Sequence, residues 1–145
     1  MSIALSERVN LVKVADHTAS GTTAVVSASV DLATHQGDSV LFRTSFGTAN
    51  AGNLLKASGS NDDSAWSDIA GSSVTSGSSD EDVWIDLPRI ATAFRYVRVE
   101  ATRGSASTLE SIWADVYDLR SLPADNTTTG TIVGEVIANG AAGTA

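Results

Sequence analysis

Histidine and serine are the residues of this chain whose chemistry could support hydrolysis. A histidine beside a serine could activate the hydroxyl as a nucleophile, and the chain has two histidines, His17 and His35. Both lie in segments that we predict to be turns, and no Gly-x-Ser-x-Gly segment is present to hold a serine on a sharp turn. A hydrolase would need one of them beside a serine or a carboxylate. We therefore predict no catalytic residues and no enzymatic activity.

Acidic residues cluster in two loop segments that could bind a cation. Asp62 and Asp63 lie in one segment, and residues 80–82 (Asp-Glu-Asp) lie in the other, with Asp86 close behind. Carboxylate oxygens of this kind can hold Ca²⁺. The spacing does not match an EF-hand loop, and acidic loop residues are usually only solvated. We predict no bound metal and no cofactor.

The three tryptophans suggest a different chemistry, because indole rings stack on the faces of sugars. Trp66 or Trp84 could form such a sugar platform. Tryptophans on strands more often lie in a core or at an interface, and Trp113 is placed at an interface on that basis. Four arginines also form a basic group that could face an acidic neighbour, or could pair with glutamates across strands: Arg89, Arg95, Arg98 and Arg103.

Alternating apolar and polar residues predict the strands that position these side chains. Residues 39–46 give the clearest case, with Val40, Phe42 and Phe46 on one face. Residues 94–103 and 109–119 are the longest strands, and the small polar segment between them predicts a hairpin. Further strands are predicted at 8–15, 22–30, 54–58 and 83–87, with a turn at 16–21.

Length and composition favour one all-β domain. The chain has 145 residues, which is an ordinary size for a single domain. Short strands separated by turns rich in glycine, serine and asparagine predict an antiparallel β-sandwich or jelly-roll-like domain. We assign this body to residues 1–118, with a flexible N-terminus at residues 1–6.

Residues 119–145 differ from the body, because they contain no aromatic residue and a single basic one, Arg120. Pro123 and residues 126–130 interrupt regular structure, while residues 131–137 are apolar enough for one strand. One prediction is an extended C-terminal arm that pairs with a neighbouring chain by strand addition. The other is a frayed terminus with a last edge strand.

The net charge of −8 argues against nucleic acid and anionic membranes as partners. The sequence has no apolar run of about 18 residues that would predict a transmembrane helix, and its first residues lack the basic and apolar parts of a signal peptide. The absence of cysteine excludes disulfides and thiolate metal sites.

Five segments carry a family resemblance: DDSAWSDIAG (62–71), SSDEDVWIDL (78–87), FRYVRVEATRG (94–104), ESIWADVYDLR (110–120) and LPADNTTTGTIVGE (122–135). With them the chain resembles the head decoration, or cement, proteins of tailed bacteriophages. The resemblance extends from about Ser20 to the C-terminus, and its motifs are structural rather than catalytic.

The resemblance implies a structural protein that is made in the host cytoplasm and lies on the outer surface of the virion head. It implies a homotrimer at threefold and quasi-threefold positions that holds neighbouring major capsid protein subunits together. The alternative is a carbohydrate-binding or host-adhesion module of a virion, using Trp66 or Trp84. For contacts with partner chains we predict Trp113, Tyr117, Arg120, Ile132, Val133 and Ile137.

Overall fold

A computed structural model describes residues 4–122, 124–126, 128–129 and 132–134. These residues form short β-strands and two single 3₁₀ turns, Leu5–Glu7 and Ile90–Thr92. No helix among the described residues is long and apolar enough to cross a membrane. The strands are β1 (Asn10–Ala15), β2 (Thr18–Gly21), β3 (Val25–Val26), β4 (Val30–Asp31), β5 (Gly37–Phe46), β6 (Leu54–Ser60), β7 (Ser67–Asp68), β8 (Val74–Thr75), β9 (Glu81–Leu87), β10 (Tyr96–Thr102), β11 (Ser107–Leu109), β12 (Ile112–Leu119), β13 (Thr128–Thr129) and β14 (Ile132–Val133).

Two antiparallel sheets form the body. Sheet 1 has the strand order β1-β12-β5-β9. Sheet 2 has the order β3-β10-β6-β7, with β4 also pairing with β10 and β8 with β6. Two further antiparallel pairs, β11-β2 and β13-β14, lie outside these sheets. The predicted all-β, antiparallel sandwich is confirmed.

The core lies between the two sheets, and every second residue of the long strands points into it. Sheet 1 contributes Phe42 and Val116, and sheet 2 contributes Val97 and Val99, all of them fully buried. Removing a valine or phenylalanine side chain of this kind from water stabilises the fold by about 1.5–3 kcal/mol. The inward faces predicted from alternation for residues 39–46, 97–101 and 112–116 are therefore confirmed.

The predicted hairpin between residues 94–103 and 109–119 is wrong. β10 pairs with β3, β4 and β6 in sheet 2, whereas β12 pairs with β1 and β5 in sheet 1. The segment between them crosses from one sheet to the other and contains β11. Alternation specifies which face of a strand is buried, but it does not specify the neighbour to which the strand bonds.

Residues 22–30, predicted as one strand, form two separate short strands, β3 and β4, on the same edge of β10. Ser27 interrupts the ladder, because its side-chain hydroxyl accepts the Val99 N–H that a backbone carbonyl would otherwise take (3.1 Å). The next residue then turns toward sheet 1, where the Ala28 N–H donates to the Val14 carbonyl (2.8 Å). This crossing bond joins the two sheets at one edge.

Residues 16–21, predicted as a turn, contain β2. A buried arginine explains the difference. The Arg103 guanidinium donates to the carbonyls of Ala19, Thr23 and Ser107 at 2.7–2.8 Å. It therefore ties β2 and β11 to the end of β10.

Candidate functional site

Strand register brings two tryptophans and an arginine into one row on the outer face of sheet 1. Trp113 of β12 lies opposite Arg43 of β5, and Arg43 lies opposite Trp84 of β9. Neighbouring strands are about 4.8 Å apart, so the two tryptophan Cα atoms are separated by about 10 Å. The Arg43 guanidinium lies over the Trp113 ring, 5.9 Å from its centre.

The next row of the same face contains Asp115, Leu41 and Asp86. Arg43 Nε donates to Asp115 Oδ2 at 3.0 Å, which holds the guanidinium on the β12 side, over Trp113. The other carboxylate oxygen, Asp115 Oδ1, is buried and lacks a hydrogen-bond partner among the described residues. Buried acceptors of this kind are uncommon in folded proteins.

Tyr117 borders these rows and donates its hydroxyl proton to Asp86 Oδ1 at 2.6 Å. Burial, followed by this hydrogen bond, raises the pKa of Tyr117 to about 12. The phenol therefore stays protonated near neutral pH and holds the Asp86 carboxylate in place.

These rows border a groove of about 830 Å³, within the range of small-molecule sites. Trp84 and Trp113 contribute indole surface to it, while Arg43 contributes the single cation among the described lining residues. Trp84 is 61% exposed, which is unusual for a large aromatic residue on a sheet strand. Three carboxylates complete its charged lining: Asp82, Asp86 and Glu110.

The two tryptophans predicted as possible sugar platforms lie on opposite sides of the sandwich. Trp84 projects from the outer face of sheet 1. Trp66 instead packs over the guanidinium of Arg98, 4.0 Å from the ring centre, on the outer face of sheet 2. The partner of Trp84 is therefore Trp113, which sequence reasoning had assigned to a protein interface.

A second feature lies where residues 6–11 meet residues 124–126. Asn126 is buried and hydrogen-bonds to three backbone groups near the N-terminus. Its side-chain amide donates to the carbonyls of Ser6 (2.5 Å) and Val9 (2.7 Å), and its oxygen accepts the Leu11 N–H (2.9 Å). The Ala124 N–H also donates to the Glu7 carbonyl at 2.7 Å. The described part of the predicted arm therefore contacts its own body along β1.

Three exposed apolar side chains flank these bonds through the sequence or through strand pairing, and we call them the terminal patch. Leu5 is 77% exposed, Leu122 is 48% exposed and Val133 is 84% exposed. Leu5 and Leu122 each lie two residues from the Glu7–Ala124 bond, and Val133 pairs with residue 128 just beyond Asn126. Ile132 faces the other way and is buried.

The predicted interface residues therefore occupy different settings. Trp113 and Tyr117 lie on the outer face of sheet 1, while Val133 belongs to the terminal patch. Arg120 follows β12 and forms an exposed ion pair with Asp38 (2.8 Å). Ile137 lies outside the described residues. The assignment of these residues to contacts with other chains stays a prediction.

The two histidines have different surroundings. His17 Nδ1 lies 3.3 Å from Glu110 Oε2, and both side chains are about half exposed. The recorded partner of His17 is thus a carboxylate and not a serine hydroxyl. His35 is partly buried, and this burial lowers its pKa despite the nearby charge of Asp31.

The first acidic segment is hydrogen-bonded within its own loop, whereas Glu81, Asp82 and Asp86 of the second, predicted to lie in a loop, belong to strand β9. Asp62 Oδ1 accepts from the backbone N–H groups of Ser64 (3.0 Å) and Ala65 (2.8 Å) and from the Ser60 hydroxyl. The two backbone N–H bonds hold the pKa of Asp62 well below its usual range. In the part of the chain that the structure describes, no three histidine or acidic side chains are grouped as metal ligands would be.

The four arginines that predicted a basic group have separate roles. Arg103 is buried against carbonyls. Arg95 forms a two-bond ion pair with Asp31 at 2.9 and 3.0 Å, and Arg98 stacks on Trp66. Arg89 adopts a left-handed backbone conformation (φ 56°) at the start of the second 3₁₀ turn.

Sequence reasoning missed Arg43, Asp115 and Asn126. The sequence contained a weak signal for two of them: Asp115 lies on the same face of β12 as Trp113, and Arg43 lies on the polar face of β5. That Arg43 and Asp115 are neighbours depends on strand pairing. The chain matches no protein-family model, no curated protein and no solved structure.

Proposed function

We propose that this chain is a non-enzymatic structural protein that decorates the head of a tailed bacteriophage. In this proposal it binds the outer surface of the shell and stabilises the major capsid protein. The resemblance of the five segments, from DDSAWSDIAG to LPADNTTTGTIVGE, supports this function class.

The terminal patch is the observation that carries the proposal. Leu5, Leu122 and Val133 are exposed, and they flank the bonds between residues 6–11 and 124–126. Exposed apolar side chains that group on a surface are typical of regions that contact another protein. The net charge of −8 repels other copies of the chain, so association is favoured at an uncharged surface such as the terminal patch.

The mechanism follows from linkage between binding and assembly. A protein that binds the assembled shell, and not its separated subunits, stabilises the shell by an amount set by concentration and affinity. At a free concentration of about 100 times Kd, this stabilisation is about 2.7 kcal/mol for each site. Trimers at threefold and quasi-threefold positions would add this contribution wherever capsid subunits meet.

The test is co-sedimentation with expanded capsids of the phage that encodes this chain. We expect the wild type to bind and the double variant Leu122→Asp/Val133→Asp to bind at least tenfold more weakly. Loss of one buried Leu or Val contact costs about 1.5–3 kcal/mol, and about 1.4 kcal/mol corresponds to tenfold. Val26→Asp/Val74→Asp is the matched control, because it places the same two charges at other exposed valines.

Binding of the double variant at wild-type affinity would exclude the terminal patch as the contact surface. Failure of the wild type to bind capsids would overturn the decoration role itself. Light scattering on the full chain, and on a version that ends at Leu122, tests the trimer. We expect the trimer to become a monomer on truncation, because the shorter chain lacks both Asn126 and Val133.

A further inference from the structure

We propose that the groove on the outer face of sheet 1 binds a neutral oligosaccharide between Trp84 and Trp113. This inference does not depend on the decoration role, because it uses a different surface from the terminal patch. It assigns a class of ligand to this groove, which the proposed decoration of the capsid does not use.

The indole surfaces provide the first argument. Trp84 is 61% exposed although its neighbours Val83 and Ile85 are buried, so the strand holds the indole rigidly in solvent. Trp113 lies one strand beyond Arg43 and is partly buried, so it forms the opposite wall of the groove. Pyranose rings present apolar C–H faces, and a pre-positioned indole can cover such a face with little loss of side-chain entropy.

The polar groups between the indoles provide the second argument. Arg43 uses Nε to bond to Asp115, so its terminal nitrogens remain as donors to sugar oxygens. Asp86 bonds to Tyr117 through Oδ1, which leaves its second oxygen as an acceptor for a sugar hydroxyl.

The arrangement of charge selects a neutral ligand. Asp82, Asp86 and Glu110 line the groove and repel anions such as uronic or sialic acids. Arg43 already lies over the Trp113 ring, 5.9 Å from its centre, and so occupies the indole face on which an ammonium or guanidinium ligand would otherwise stack. A ligand that is uncharged and rich in hydroxyl groups satisfies both restrictions. The groove volume of about 830 Å³ accommodates a short oligosaccharide.

The proposal is tested by direct binding measurements on the full chain. A glycan array that contains neutral and acidic structures identifies the ligand, and isothermal titration measures its affinity alongside cellotriose, maltotriose and chitotriose. We expect at least one neutral glycan to bind. Trp84→Ala is expected to weaken this binding at least tenfold, as loss of one stacked aromatic residue should.

Trp66→Ala is the matched control, because it removes an indole from the opposite face of the sandwich. It is expected to bind the same glycan with unchanged affinity. Trp84 is exposed, so its replacement leaves the core intact, and circular dichroism of both variants checks the fold.

Three results would overturn the proposal. These are the absence of binding to every neutral glycan tested, equal loss of binding in the Trp66 and Trp84 variants, or binding only of acidic glycans or of a cationic peptide. Capsid co-sedimentation of Trp84→Ala separates this proposal from the structural role, since the variant is expected to bind capsids like the wild type.

Discussion

Replacing Asn126 with alanine is expected to release the C-terminal segment from β1. The substitution removes three hydrogen bonds, to Leu11, Ser6 and Val9. A net value of about 1 kcal/mol for each bond predicts that the free energy of opening this segment falls by about 3 kcal/mol. The core is not touched, so most of the effect should be local rather than global.

Hydrogen exchange of single amides measures this effect directly. The Ala124 N–H bonds to Glu7 and reports opening of the contact, whereas the Leu11 N–H loses its own acceptor, Asn126 Oδ1, in the variant. A change of about 3 kcal/mol corresponds to roughly 100-fold faster exchange. Asn10→Ala is the matched control, because the Asn10 side chain bonds to the His35 carbonyl at 2.8 Å and not to the C-terminal segment.

Exchange rates of Leu11 and Ala124 within threefold of the wild type would refute the role of Asn126. An equal acceleration in the Asn10 variant would show that β1 as a whole had loosened and that the side-chain bonds of Asn126 were not the cause. If Asn126 does hold the terminal patch together, Asn126→Ala should also weaken capsid binding, because Leu122 and Val133 would lose their fixed positions.

Two further predictions concern stability. Arg103→Met should destabilise the fold by about 3 kcal/mol or more in urea denaturation, because it leaves three carbonyls without their donor; a loss below about 1 kcal/mol would contradict this role. The Arg95 guanidinium beside Asp31 holds the pKa of that carboxyl well below its usual range. The Asp31–Arg95 ion pair therefore stabilises the fold fully above about pH 4, and this stabilisation is lost as the pH falls further. Asp31→Asn should therefore be less stable than the wild type at pH 7, and the difference should shrink below pH 4; a constant difference would refute the ion pair as its cause.

The candidate sites were predictable only in part. Alternation identified Trp113 and Tyr117 as residues on the outer face of their strand, and aromatics on that face predicted an interface. It did not pair Trp113 with Arg43, because that pairing requires β12 to lie beside β5 in sheet 1. The sequence placed Asn126 in an unattached arm, since an asparagine in a polar run is indistinguishable from a solvated one.

Arg103 illustrates the same limit for charged residues. Arginine is rarely buried, so grouping it with Arg95 and Arg98 in a surface patch was the ordinary expectation. Its burial depends on the Ser107 carbonyl and on those of Ala19 and Thr23, which lie 84 and 80 residues away in the sequence and belong to no local pattern.

The sequence alone determined the all-β class, the positions of the long strands and the inward face of each. It could do so because side chains alternate along a strand, and burial of apolar residues such as Phe42 and Val97 follows that period. Only the tertiary structure decided which strands are neighbours, and with them the Trp84–Arg43–Trp113 row and the contact of Asn126 with β1. The physical reason is that strands are joined by backbone N–H and C=O groups, which are nearly the same at every residue. Hydrogen bonding between strands therefore depends little on the residue types that form them.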